Sequence, residues 1–447
     1  MSSKFGSGRS VGRRGALRAL GGASALVAGA ATTLHWKRSF AQSAKTVRVW
    51  SQQSSPPQLE AYKLIVADFE KAYPGVKIAI EPVAQKDIWP KLTAALGGGD
   101  VPDSIAQIVA ATAFSLQDQD ALEPMNPVID AVGRADFEKS ALDVYVEKGV
   151  NFAVPFANNS LNFWYRKDIL EKEGLKVPVY WDEYVQVAKK LTKDGMYGAS
   201  LPYGKAAMLN TIVWTFIYQA GGLVVGPDGS VVFNSPATIA AVEFLKEMSQ
   251  YVPPGANRYD WGETLNAFVT GVAATTMYTG RAMLNTHAQN PKIADSIACA
   301  HYPYRREGRY WATGTFECLT IPKGTKNKKE AELWSAFCFK PEQYVRFLHS
   351  VPGHQLPILK SVAAAPAFTN QDMLQKHKAD VATMIEVSNR SNPVGKPTPA
   401  SPLLLKAGEI QDSQIFAEVV QKVVIGNESA KTAVAWGHDQ IGRVMKG

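Results

Sequence analysis

The sequence predicts an α/β fold, a sheet covered by helices. Three observations carry this. From Lys45 to Val109, short runs of alternating apolar residues are each followed by an amphipathic run, the strand–helix order that builds a parallel sheet. A second block begins near Gly149 with the same character. No heptad, short repeat or low-complexity linker interrupts the 447 residues, so the blocks interleave rather than hang on a tether.

Val47 and Val49 in KTVRVW mark a first strand, with polar Ser51-Gln52-Gln53 at its carboxyl end. LEAYKLIVADFEKAYPG follows as a helix with Leu59, Tyr62, Ile65, Val66 and Phe69 on one face, stopped by Pro74-Gly75. VKIAIEPV is a second strand, DIWPKLTAALGGG a helix closed by three glycines, and SIAQIV a third strand. In such sheets ligands bind beyond the carboxyl ends of the strands, which places Ser51, Gln52, Asp103 and the stretch after Ile108 on the expected rim. In the second block GVNFAVPF reads as a strand, and AAMLNTIVWTFIYQA as a strongly apolar helix ended by Gly221-Gly222. WDEYVQVAKKLTKDG is a helix with a capped start at Trp181-Asp182. Pro227-Asp228-Gly229 between valine pairs makes a hairpin turn, and Ser235-Pro236 opens a capped helix.

The charge of +8 has a local source. Residues 1–44 hold seven basic residues and no Asp or Glu; removing these seven from 48 leaves 41 basic against 40 acidic residues. A polyanion partner such as nucleic acid therefore loses its main support. The same segment has the three parts of an export signal: a basic start with Arg13-Arg14, a weakly apolar Gly/Ala-rich core, and small residues for cleavage after Ala41 or Ala44. The twin arginine points to the route that carries folded cargo. The expected product is soluble and periplasmic. Cys299, Cys318 and Cys338 match no zinc or redox spacing, and no cofactor is expected.

The order of several blocks resembles the extracellular solute-binding proteins of ATP-binding-cassette importers, in the sugar-binding family 1 group. The blocks are GGGDVPDS; AVPFANNSLNFWYRKDIL; ETLNAFVTGVAATTMYTGRAM with Phe268, Gly271, Ala273 and Gly280; TGTFECLTIPKGTKNKKEAELWSAF; and VPGHQLPILKSV. The resemblance implies a two-lobed periplasmic-binding-protein fold, parallel sheets flanked by helices, and a hinge crossed near Pro155, Met277–Gly280 and Gly314–Phe316. It divides the chain into a first lobe of 45–154 and 279–314 and a second of 155–278 and 315–447. It also implies a monomer that captures a sugar or sugar derivative by hinge closure and hands it to a membrane permease, without catalysis.

Within that frame the amides of Asn158 and Asn159 offer paired donors and acceptors to hydroxyl groups, and aromatic faces stack on sugar C–H groups. Trp164 is the ring of Phe163-Trp164-Tyr165 expected to face ligand, the other two being candidates for core. Trp50, Tyr203, Trp261, Trp311 and Phe316 are further aromatic candidates, and Trp50 fits cleft or core equally. Gln52 and Asp103 complete the first lobe's set. Arg281 stands where the family usually has an aromatic, so it either pairs with Glu317 or recognises an acidic or phosphorylated sugar. Glu317 is the acid that an exported glycosidase would use; such an enzyme, or a receptor for a polyamine, is the alternative function. His349 and His354 are five apart across Pro352-Gly353, and no partner for a metal is evident.

Overall fold

The computed structural model describes residues 44–398 and 401–446, so the export-signal reading of the first 43 residues lies outside the described residues. Lys45–Ser51 (β1) has Val47 and Val49 fully buried, and Val76–Pro82 (β2) pairs with it in parallel from Lys45↔Val76 to Ser51↔Pro82. Ser104–Ile108 (β3) runs parallel on its other side. The helices Pro56–Ala72 and Gln85–Gly98 make the crossovers. Proline fits the first turn of one, where its missing N–H leaves no gap; Gly99, at φ 67°, ends the other.

Val154–Asn158 (β4) is buried throughout and belongs to the same sheet. The chain then passes through residues 159–161 into Asn162–Arg166 (β5), the centre of a second sheet. Its neighbours there are Thr275–Tyr278 (β6) and Ile297–Ala300 (β7), both antiparallel to it. The two residues Ala312–Thr313 (β8) lead back to Glu317–Thr320 (β9), which inserts antiparallel between β3 and β4. Leu356–Pro357 (β10) adds to the free edge of β4, giving the order β10-β4-β9-β3-β1-β2. The first sheet is thus mixed and the second antiparallel, which corrects the expectation of parallel sheets. A strand arriving from the other lobe enters without a crossover helix, so it runs against its neighbours.

The lobe boundaries change for the same reason. Tyr278–Gly280 does not cross; it turns within the second lobe into the helix Arg281–Gln289, and β7 follows in the same sheet. Residues 279–300 therefore belong with the second lobe, and β9 and β10 with the first. The chain is already back against β7 in the helix Lys378–Asn389, its third pass through the junction lies at Ser391–Asn392 (β11), and the helices Ile415–Val424 and Ala430–Lys446 then pack on the second-lobe helices Ala207–Gln219 and Pro236–Met248.

Three strands of chain lie side by side at the junction. Thr315 donates its N–H and its hydroxyl to the Asn159 carbonyl at 3.0 and 3.1 Å, and Leu161 N–H reaches the Thr313 carbonyl at 3.1 Å. Gly314 N–H reaches the Asn392 carbonyl at 3.1 Å, and β8 pairs with β11 in parallel.

Gly280 starts the helix Arg281–Gln289 directly against the loop that carries His354. A Cβ built there would lie 1.9 Å from the Gly353 carbonyl oxygen, an overlap that only a backbone shift relieves. Gly280→Ala should cost about 1–3 kcal/mol in urea denaturation, as overpacking does. An unchanged midpoint would contradict the close approach.

Candidate functional site

A cavity of about 490 Å³ lies where the two lobes face each other. The loop after β1 supplies Gln52 and Gln53, and the turn after β3 supplies Val109–Ala111. Asn159, Gly314 and Thr315 come from the crossings, while Trp261 and Tyr278–Arg281 form the facing wall. The site thus sits beyond the carboxyl ends of β1 and β3, as the sheet topology requires.

A chain of side chains spans it. Arg281 Nη2 donates to Gln58 Oε1 at 3.0 Å, Gln58 Nε2 to Gln53 Oε1 at 2.7 Å, and Gln53 Nε2 to Glu317 Oε1 at 2.9 Å. Gln355 Nε2 donates to the other Glu317 oxygen. Every amide is oriented the same way, donating toward the carboxyl group, so the dipoles reinforce one another. Gln58, fully buried in the first turns of Pro56–Ala72, is the piece that joins the two lobes.

Burial pushes the Glu317 carboxyl up to about 7, against the pull of Gln355, Arg281, Asn159 and Gln53. Burial also lowers Arg281 and holds His354 well below its ordinary value, with Arg281 adding repulsion at His354. His354 is therefore neutral. Its Nδ1 lies 3.3 Å from both Asn159 Nδ2 and Thr279 Oγ1; with the asparagine N–H donating, the imidazole proton is assigned to Nε2. Asn159 Oδ1 and Trp261 Nε1 are buried without a partner among the described residues, one acceptor and one donor in the walls of the site. Trp261 opens the helix Trp261–Val269 and meets Tyr278 edge-on, with centroids 5.7 Å apart.

Of the residues singled out in the sequence, Gln52, Asn159, Trp261, Arg281 and Glu317 meet at this cavity. Gln52 partly braces the rim, accepting from Val109 N–H at 3.2 Å. The other candidates lie elsewhere. Trp50 is buried with the Lys91 ammonium 4.2 Å over its ring, because strand alternation turns it toward the helix layer. Asp103 precedes β3 and sits at the amino end of the sheet, accepting from Arg48 N–H at 2.8 Å. Asn158 turns into the hinge and donates to the Ser388 carbonyl and Ser391 hydroxyl, both at 3.1 Å. Trp164 is fully buried, its Nε1 donating to the Tyr278 carbonyl at 3.2 Å. Tyr203 spends its hydroxyl on the Leu245 carbonyl at 2.6 Å, in the core of the second lobe. Trp311 donates to the Pro397 carbonyl at 3.0 Å, and Phe316 lines a different cavity at the hinge.

Sequence reasoning missed Gln53, Gln58, Thr279 and Gln355 as members of the polar chain. Gln53 was within reach, as the second amide of the loop after β1. His354 was noticed only beside His349, whose Nε2 in fact pairs with the Phe368 carbonyl at 2.8 Å.

The protonation of Glu317 has a measurable consequence. Folded Glu317 keeps its proton to about pH 7, whereas an unfolded glutamate loses it near 4.5, so the folded state binds more protons in between. Its contribution to stability therefore falls as pH rises from about 4.5 to 7. Neutral His354 gives the opposite slope below its ordinary 6.5. Glu317→Gln removes only the falling part. The stability difference, variant minus wild type, should grow with pH across that window, by at most ~1.4 kcal/mol per unit. A difference independent of pH in urea denaturation would contradict the assignment.

Comparison with known proteins agrees with this architecture. A family model described as bacterial extracellular solute-binding protein matches residues 53–345. An Escherichia coli K12 protein, provisionally named ABC transporter periplasmic-binding protein YcjN, is 23% identical over 319 residues, 70% of this chain and 72% of its own. The mannitol-binding protein of Pseudomonas aeruginosa is 26% identical over 230 residues, 48% of this chain and 51% of its own. Among solved structures, maltose-bound MalE3 of T. maritima superposes with a TM-score of 0.77 at 20% identity, covering 90% of this chain and 100% of that one. A solute-binding protein of Agrobacterium radiobacter K84 in complex with ribitol gives 0.76 at 20%, covering 89% and 98%. These likenesses establish the fold, and the family match over most of the chain establishes the lineage: this chain belongs to the bacterial extracellular solute-binding proteins.

Proposed function

We propose that this protein is the periplasmic receptor of an ATP-binding-cassette importer, exported by the twin-arginine route, monomeric, and selective for a neutral sugar or polyol. The observation that carries this reading is the polar chain from Arg281 through Gln58 and Gln53 to Glu317. A cation and a carboxyl group bridged by amides offer donors and acceptors at fixed spacing, which suits a polyhydroxylated ligand. The partnerless Asn159 Oδ1 and the Trp261 ring add one more acceptor and a stacking face. The mannitol-binding relative and the ribitol-bound structural neighbour support the polyol class.

Ligand contacts to both lobes would favour the closed arrangement, and that arrangement is what a permease would recognise. The alternative of a glycosidase finds one carboxylate, Glu317, among the described residues lining the cavity, where that chemistry uses a pair. A polyamine receptor would meet Arg281 as a repulsive charge. Among the described residues no helix is long and apolar enough to cross a membrane.

One observation favours a second ligand class. With Glu317 protonated near neutral pH, Arg281 carries the charge of the cavity, which suits an acidic or phosphorylated sugar.

A thermal-shift screen of residues 45–447 with polyols, neutral sugars, uronic acids, sugar phosphates and polyamines tests both. Ligands that bind the folded state raise Tm by mass action. A neutral sugar or polyol should raise it, and Arg281→Ala should weaken that binding by about 1.5–3 kcal/mol, the worth of hydrogen bonds to a charged group. A shift confined to acidic sugars would move the assignment to the second class. No shift with any sugar or polyol would overturn the receptor reading.

A further inference from the structure

At the hinge a second cavity of about 430 Å³ opens, with Pro393 bordering both it and the cleft. One wall is the first-lobe helix Lys139–Val144, the other is the third crossing from Asn389 to Lys396, and Phe316 lies between them. Its lining is cationic. Lys139, Arg390 and Lys396 face it against one carboxylate, Asp143, which already pairs with Lys139. Arg390 is shared with the Tyr310 ring at 4.1 Å and with Glu386 at 3.7 Å, so its charge is partly spent.

Lys396 is the unusual member. Only 8% of it is exposed, and among the described residues its ammonium hydrogen-bonds just the Asp143 backbone carbonyl, at 2.8 Å. A buried ammonium seldom lacks an anionic hydrogen-bond partner. Burial lowers this one, with the Asp143 carboxylate pulling the other way. The amides of Asn389 and Asn392 and the hydroxyl of Ser140 line the same space and are donors suited to anion oxygens, whereas the Ser391 hydroxyl donates to the Ser388 carbonyl at 2.8 Å. Phe316 holds a left-handed backbone, φ 43°, with its carbonyl taken by the Tyr145 hydroxyl. Backbone strain of this kind persists where the surroundings over-determine it.

We propose that this cavity is a second binding site, for a small carboxylate- or phosphate-bearing anion held by Lys396 and the amides of the third crossing. Its walls come from the first lobe and from a crossing segment, so an occupant steadies one lobe angle. In that arrangement Arg281 and Gln58 meet across the cleft. Anion and cleft ligand therefore favour the same state and reinforce each other's binding. The coupling rests on the receptor reading above; the anion site does not.

Calorimetric titration with inorganic phosphate, at constant ionic strength and against a chloride control, tests the site. Wild type should bind, Arg281→Ala should bind with at most a few-fold loss through the coupling, and Lys396→Gln and Asn392→Asp should each lose roughly tenfold or more in affinity, about 1.4 kcal/mol. Asn392→Asp places a repelling charge in the cavity and decides the case should Lys396→Gln fail to fold. Phosphate binding that survives both cavity variants overturns the proposal. So does binding lost in Arg281→Ala, which would place the anion in the cleft, or no binding to wild type at millimolar phosphate.

Discussion

The contact between the two lobes depends on a guanidinium and a carboxyl group that share one cavity. Burial works against the charged form of both, lowering Arg281 and raising Glu317. The Gln58–Gln53 pair resolves this by carrying hydrogen bonds from Arg281 to Glu317. The four residues come from three separate stretches of chain. Gln53 and Gln58 follow β1, Arg281 follows β6, and Glu317 begins β9. The polar chain is therefore complete only when both lobes and the returning strand are in place.

The junction between the lobes is as closely tied. The segments at 159–161, 313–316 and 391–392 hydrogen-bond to one another through their backbones. Gly314 lies in the middle, where a Cβ would meet Phe316, Ser391 and Asn158 within 3 Å. Asn158, whose amide is spent on Ser388 and Ser391, ties the first crossing to the third. Its neighbour Asn159 faces the cavity. One residue of the pair serves the hinge and the next serves the site, because successive side chains of an extended segment point opposite ways.

Local chemistry was legible in the sequence wherever a single residue type decides the outcome. Val47 and Val49 are buried, Gly99 stops its helix in a left-handed conformation, and Ser235 accepts from Thr238 N–H at 3.2 Å as a helix cap. The turn at Pro227-Asp228-Gly229 closes between Val225 and Val231. The capped start near Trp181 was displaced by one residue, since Tyr180 and Glu183 form the box. Long-range pairing was not legible. Nothing near Glu317 says that β9 will insert between β3 and β4, so the lobe assignment of both later segments went astray. Most of the aromatic candidates, Trp261 excepted, failed for a related reason. Trp50, Trp164, Tyr203 and Trp311 carry the signature of stacking residues, but each ring has its own place in a core and the polar tips of the last three reach backbone carbonyls. The hydrogen-bonded chain is instead carried by the amides of Gln53, Gln58 and Gln355, which leave no periodic trace in the sequence.

The most direct measurement is a crystal structure of residues 45–447 grown with a polyol at saturating concentration. The account predicts ligand density between Trp261 and Asn159, with hydroxyl groups in hydrogen-bond reach of Arg281 and Glu317. Density for the polyol anywhere else, with the Arg281–Gln58–Gln53–Glu317 chain untouched, would contradict it.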